Sequence, residues 1–592
     1  MKKFVAFFAI MLTAGVAQAT IDLTNSAFFI SHGLTPDRDV TINGDTGFLA
    51  HYTGLNHPAA LKKYCFVLRG SPYSQGYQAA ALWPAATHEM LTLFMRRVAL
   101  SEFESIGISP PPGSPAEDRL WQWIYSTALG YAKQTEPILP ASLTDEFRGV
   151  ADGVRAAGYT DVGYDDVLML NQGLDGIFFI LAELLGRVPD QKANAKAVAS
   201  FKALVQKTPE LKSAVEFRGD RVFIRGIQPD TIKPPRFGCN EFVIGGAATA
   251  TGETFHGRDF MFNTADVYQK YVSVMIHLPT ATGARAFASI APPSFVGQTT
   301  GINIDGVSVG QDICQGAAYG TNVAFGCLLI ARRVLEYSAN VRDAVTVVRS
   351  SPRGVPWKFI VAGSVADPEY GCGAVLDAFA NSPGYNGPNC LPAWQQNNLR
   401  REIALLGNGD MPVNGIMVRS AKWIMPQQFV GIGRTLQIPN PFFPDLPRWN
   451  IGIYFPDQIE TDDNIVAAAN HFIIPRARFS QFDPVVWALY GPTGALADSV
   501  WRYETMLYSI LGHRGAIQYF GADPEIPAEG SAGWLIDFLN TSRCDYYHGG
   551  VVVEGHHAIM NNSTRTIKAL FGHMSDPWVG ADLAVFVKFF TP

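Results

Sequence analysis

The sequence has little excess of charge of either sign. Its 592 residues include 46 Lys+Arg against 52 Asp+Glu, a net of −6, and only 17% are charged. A nucleic-acid partner would call for a basic excess, so none is expected. Long hydrophobic runs are also missing: past the N-terminus no stretch reaches the roughly 20 uninterrupted apolar residues of a membrane span. A stable membrane anchor is therefore not expected, and the apolar run from Phe178 to Leu185 reads as a buried helix. The seven cysteines, Cys65, Cys239, Cys314, Cys327, Cys372, Cys390 and Cys544, include no CxxC pair, which argues against zinc. Neither metal nor other cofactor is expected. No internal repeat or low-complexity run occurs.

What is present is apolar. Hydrophobic residues make up 47% and the mean hydropathy is +0.07, enough for a large core and incompatible with a disordered or collagen-like chain. Lys2 and Lys3, the apolar run Phe4 to Val16 and the small-x-small site Ala17-Gln18-Ala19 form a cleavable export signal over residues 1–19. The expected location is secreted or periplasmic. In such a compartment the odd cysteine count leaves at least one thiol unpaired, while the other six could form up to three disulfides.

Thr20 to about Gly54 reads as turn-rich, with Asn43-Gly44 as a turn signal. Helical spacing dominates from about Ser74 to Leu185, interrupted by Pro110-Pro111-Pro112-Gly113; Gln191 to Lys212 reads as charged and exposed, and a proline-rich stretch ends at Arg236. From Gly238 the pattern becomes strand-like: Glu241 to Ile244, Thr254 to Phe260, Tyr271 to Ile276 and Asn303 to Val309. This predicts a mostly helical N-terminal region, residues 20–238, followed by an α+β region, 239–592, built on antiparallel strands.

The boundary falls on Phe237-Gly238-Cys239-Asn240. A strand starting at Cys239 and a turn near Thr249 to Gly252 bring residues near 258–262 back beside Cys239. Arg258 and Asp259 occupy that returning end. A guanidinium near a thiol favours the thiolate, the nucleophilic form. Such a cysteine can attack the Gly238 carbonyl and cut the chain between Gly238 and Cys239, and glycine tolerates the strained backbone this needs. The freed α-amine, with an ordinary pKa of about 7.7–8.0, can then serve its own thiol as base, with Asp259 holding the amine.

The run Gly238-Cys239-Asn240-Glu241-Phe242 followed by Gly257-Arg258-Asp259-Phe260 resembles the acyl-coenzyme A:6-aminopenicillanic-acid acyltransferase family of cysteine N-terminal-nucleophile (Ntn) hydrolases. Similar segments follow in family order: Gly70 to Tyr77, Glu146 to Gly153, Leu168 to Asn171, Gly301 to Val307, Ala469-Asn470-His471-Phe472 and Ser499-Val500-Trp501-Arg502. The resemblance implies a four-layer αββα fold, cleavage before Cys239, and two fragments that stay associated. It implies amide or acyl-transfer chemistry on a small-molecule amide or N-acyl substrate. Asn470 is the implied oxyanion donor, and Gln311 and Asp312 are implied to line the substrate pocket. Two features depart from the family: the pro-region is longer, and Arg258 and Asp259 are contiguous where relatives often separate them.

Other readings stay open. His256 could pair with Cys239 in an ordinary Cys-His mechanism without chain cleavage. A lipid hydrolase similar to the phospholipase B-like proteins or acid ceramidase would show a long apolar groove. A binding protein that merely keeps the fold would show no cleavage.

Overall fold

The computed structural model describes residues 23–54, 62–186, 188, 190–219, 221–225, 237–262, 267–314, 316, 319–320, 323–381, 404, 410–429, 434–438, 449–453, 464–481, 495–520, 531–539 and 552–591. The export signal, Cys390 and Cys544 lie outside them. The five described cysteines are each unpaired and buried, so none of the expected disulfides involves them.

In chain order the first strands are β1 (Leu34–Ile42), β2 (Asp45–Tyr52), β3 (Tyr64–Gly70), β4 (Val215–Arg218) and β5 (Arg221–Ile224). The central ones are β6 (Phe237–Gly246), β7 (Gly252–Phe262), β8 (Ser273–Pro279), β9 (Phe287–Ala291), β10 (Thr300–Asn303) and β11 (Ser308–Ile313). Then come β12 (Trp357–Asp367), β13 (Gly371–Ala378), β14 (Ile416–Ser420), β15 (Arg434–Ile438), β16 (Trp449–Ile453) and β17 (Ile465–Ala469). The last are β18 (Val552–Asn561), β19 (Thr566–His573) and β20 (Val579–Asp582). Ten form one sheet in the order β1-β2-β3-β8-β9-β10-β11-β12-β13-β14, and six form another, β17-β6-β7-β18-β19-β20. Every pairing in these two sheets is antiparallel except β3 with β8.

The two sheets lie face to face. Val243 and Val466 of one pack with Ile360, Cys372 and Val375 of the other, and a Cβ on Gly373 would lie 3.0 Å from the Val243 side chain. Helices Cys327–Tyr337 and Val341–Ser350 cover the outer face of the ten-stranded sheet. A Cβ on Gly301 of β10 would lie 2.7 Å from Leu335, and one on Gly363 of β12 would lie 2.8 Å from Val341. Helices Ala495–Gly512 and Ala532–Leu539 cover the outer face of the six-stranded sheet, burying Met506, Ile510, Leu535 and Ile536 with Phe242, Ile244 and Phe255. The fold is therefore α+β, in four layers αββα.

Two segments differ from the sequence reading. Residues 34–52 form a hairpin rather than open turns. Asn43 (φ 53°) and Gly44 (φ 85°) make its two-residue loop, since both positions require positive φ. Phe48, Leu49 and Ala50 are buried beneath it. The segment Asn303 to Val309 is a turn between β10 and β11, not one strand. The Asn303 side-chain oxygen accepts from the N–H groups of Asp305 and Val307 and bends the chain back. The apolar run expected to be a buried helix belongs to Tyr164–Leu184, which is long and apolar enough to cross a membrane yet 94% buried over its most apolar window.

A buried carboxyl makes stability depend on pH. Glu102, in helix Met95–Ser105, is 3% exposed, and its Oε2 has no hydrogen-bond partner among the described residues. Burial pushes its pKa from 4.5 up to about 8. The folded state thus holds a proton that the unfolded chain releases. The associated stability is complete below pH 4.5 and is lost as pH rises through 8. Glu102→Gln should remove this slope and stabilise the protein at pH 8 by on the order of a few kcal/mol. Thermal melts at pH 5 and pH 8 check it; equal pH slopes in wild type and variant would refute the assignment.

Candidate active site

Cys239 sits near the start of β6, one strand in from the edge of its sheet, and is 3% exposed. Its register partner on β7 is Phe260, with Asn240 opposite Asp259 and Glu241 opposite Arg258. The hairpin thus returns where the sequence predicts. Side chains alternate along a strand, however, and directly opposed residues share a face. Cys239, Glu241 and Arg258 turn toward the ten-stranded sheet, whereas Asn240 and Asp259 turn toward the helices on the other side.

Arg258 is fully buried and lies against the thiol, with Nη2 3.9 Å from Sγ. It also donates to Asp312 Oδ1 at 3.2 Å and to the Gln311 carbonyl, and it forms an ion pair with Glu241. Two carboxylates thus share its charge. Burial accordingly dominates at Cys239 and pushes the thiol up to about 12, with Arg258 opposing this and Asp312 adding to it. The expected thiolate is not favoured in the uncut chain. Glu241 has room because Gly310 of β11 faces it: a Cβ there would lie 2.1 Å from its carboxylate.

Asp259 does not approach the thiol. Its Oδ2 accepts from Asn240 Nδ2 at 2.8 Å, and its Oδ1 lies 3.5 Å from His557 Nε2. Asn240 Oδ1 in turn accepts from Arg502 Nη1. Arg502 also donates to the Cys239 carbonyl at 2.9 Å and to Asn470 Oδ1 at 3.0 Å. Asp259 is thus linked to the Cys239 backbone through Asn240 and Arg502. Sequence reasoning gave Arg502 no role, although Ser499-Val500-Trp501-Arg502 was the available signal.

Asn470, just past the end of β17, is brought directly to the cysteine. Its Oδ1 accepts the Cys239 backbone N–H at 2.8 Å, and its Nδ2 donates to the Ile313 carbonyl at 2.8 Å, leaving a second N–H on the amide. The turn holding it is clamped from the opposite sheet. Lys358 of β12 donates to the Ala469 carbonyl at 2.6 Å and to that of His471. No local pattern marks Lys358 for this contact. His256 binds Glu241 through Nε2 and Ser308 through Nδ1, each at 2.8 Å, and burial lowers its pKa to about 3. Neither ring nitrogen is directed at the thiol. His471 packs inside, bound to Ser499 Oγ at 2.8 Å.

A small, mostly apolar pocket opens beside Cys239. Its apolar wall includes Phe94, Leu174, Phe260, Phe295, Leu328 and Trp357, and Gln311 and Thr299 supply polar side chains. The structure thus brings Cys239, Arg258, Asn470, Gln311 and Asp312 together and leaves Asp259 on the far face.

A cysteine at the head of an interior strand in an αββα sandwich accords with the Ntn-hydrolase- or acyltransferase-like class of enzyme. The family model described as acyl-coenzyme A:6-aminopenicillanic acid acyl-transferase matches residues 254–370, in line with the resemblance carried by the motifs. The matched span includes Arg258, Asp259, Gln311 and Asp312; Cys239 precedes it, and Asn470 and Arg502 follow. An uncharacterized protein of Archaeoglobus fulgidus is 28% identical over 524 residues, covering 88% of this chain and 66% of that protein. The chain thus spans just under two thirds of that relative's length. Among solved structures, a Caenorhabditis elegans ortholog of N-acylethanolamine-hydrolyzing acid amidase aligns with a TM-score of 0.27 and 10% identity, covering 55% of this chain and 93% of that one. A variant of the conjugated bile acid hydrolase of Clostridium perfringens aligns at 0.22 and 10%, covering 58% and 92%. Likenesses this distant transfer no activity.

Proposed function

We propose that this protein is an exported, self-processing cysteine Ntn hydrolase that cleaves linear amides bearing an apolar acyl group. The observation that carries the reading is the placement of Cys239. Gly238 precedes it at the head of a central strand, the Asn470 amide binds its backbone N–H, and an apolar cavity lies at its side chain. Attack of Sγ on Gly238 would release Cys239 as a new N-terminus. Its α-amine would then relay the thiol proton during turnover. Asn470, with a backbone N–H, would stabilise the tetrahedral oxyanion. The acyl thioester would pass to water or to an amine. Export rests on the N-terminal signal pattern. Lasting association of the two fragments is supported by the six-residue pairing of β3 with β8 across the cut.

The apolar wall also suits a lipid amide, the second reading, which shares this chemistry and differs in acyl length. The test has two parts. Purified wild type run on a denaturing gel should give two bands, and N-terminal sequencing should find that the larger starts at Cys239. Against N-acyl amides graded in acyl length and polarity, kcat/KM should rise with apolar area. A single intact band under all maturation conditions, or a preference for polar acyl groups, would sink the reading.

A further inference from the structure

Self-cleavage at Gly238–Cys239 needs a proton acceptor before any free α-amine exists. The buried thiol is held protonated in the uncut chain, and Arg258 is shared between two carboxylates. The acceptor must lie on the face of β6 that Cys239 occupies, which excludes Asp259. His256 is engaged with Glu241 and Ser308.

Asp312 meets the requirement. It is on β11 of the facing sheet, is fully buried, and stands opposite Lys358 of β12 in register. Its Oδ1 accepts from Arg258, the side chain that also lies 3.9 Å from Sγ. Its Oδ2 is buried with no hydrogen-bond partner among the described residues, and this carboxyl and the Cys239 thiol lie against the same guanidinium, that of Arg258. The groups around it are Arg258, Lys358, Arg502, Glu241 and Cys239. Burial raises its pKa above the ordinary value, while Arg258, Lys358, Arg502 and the thiol pull the other way; a carboxyl so raised is a stronger base.

We propose that Asp312, reaching across from the ten-stranded sheet, is the general base that starts self-cleavage, and that Asp259 only braces Asn240 and Arg502. The proposal rests on the self-processing reading above. The Sγ proton passes to Asp312 as the S–C bond to the Gly238 carbonyl forms. Asp312 then returns that proton to the Cys239 nitrogen as the C–N bond breaks, leaving a thioester and a free amine. Water adds to the thioester carbonyl, the C–S bond breaks, and the thiol regains a proton as Gly238 leaves as a carboxylate.

The experiment follows processing of the full chain over time in wild type, Asp312→Asn, Asp312→Glu and Asp259→Asn, with and without hydroxylamine, which cleaves thioesters. Thermal melts establish that each variant is folded. Asp312→Asn should cut about 10²–10⁴-fold more slowly than wild type and gain nothing from hydroxylamine, because no thioester forms. Asp312→Glu keeps the charge facing Arg258 and should recover part of the rate with a shifted pH profile. Asp259→Asn, which loosens a brace and leaves the proton acceptor in place, should slow cutting less than Asp312→Asn does and should still gain from hydroxylamine. Wild-type rates in Asp312→Asn, or slow cutting confined to Asp259→Asn, would overturn the assignment while leaving self-processing intact. A wild type that also stays whole would overturn both.

Discussion

Replacing Cys239 with alanine should leave the chain uncut and abolish turnover, lowering kcat on the order of 10⁶-fold, as loss of a nucleophile does elsewhere. The substitution removes one sulfur from a site whose backbone is held independently: Asn470 accepts the Cys239 N–H, and Arg502 binds its carbonyl. The fold should therefore survive, and a melt within a few degrees of wild type would separate lost chemistry from lost structure. Cys239→Ser replaces the thiol with a hydroxyl of similar shape, whose proton is harder to remove, and should cut slowly. Intact mass spectrometry of wild type with a slow N-acyl substrate should find the acyl group on the fragment beginning at Cys239. An active, uncut Cys239→Ala protein would place the chemistry elsewhere.

The second large effect belongs to Asn470. Its amide meets the Cys239 N–H, Arg502 and the Ile313 carbonyl, and its remaining N–H is the donor available to a developing oxyanion. Removal of one such donor costs about 10²–10³ in kcat. Asn470→Ala should show that loss with little change in KM, because the donor acts on charge that appears only in the transition state. Asn470→Asp is the sharper variant. It keeps the size and the acceptor for Arg502 but replaces the donor with a second oxygen and a negative charge, so kcat should fall at least as far. Steady-state kinetics on processed enzyme decide it: a kcat for Asn470→Asp within a few-fold of wild type would remove Asn470 from the oxyanion site.

Much of the β6–β7 hairpin was legible because a strand, a Gly-rich turn and a returning strand are local features. Counting residues along it correctly returned the chain at Phe260 opposite Cys239. Counting did not settle which face each side chain takes. That depends on parity: Arg258 shares a face with Cys239, and its neighbour Asp259 cannot. The hairpin Leu34 to Tyr52 was half legible, since Asn43-Gly44 announced a turn while the polar flanks hid two strands. Arg502, Lys358 and the approach of Asp312 were not legible from spacing, because they converge from separate strands and a helix through contacts between layers. Each is a cation or carboxylate paired inside the protein, where its sequence neighbours say nothing of its partner.

The parallel pairing of β3 with β8 has a consequence for the order of events. Strands β1 to β3 lie before the Gly238–Cys239 bond, yet they complete a sheet whose other seven strands lie after it. While the bond is whole, the two halves find each other as parts of one tethered molecule. Once it is broken, reassembly from the unfolded state becomes a second-order encounter that dilution slows. On the self-processing reading, scission would follow folding, and a cut molecule that loses its structure should regain it at a rate set by how concentrated its two pieces are.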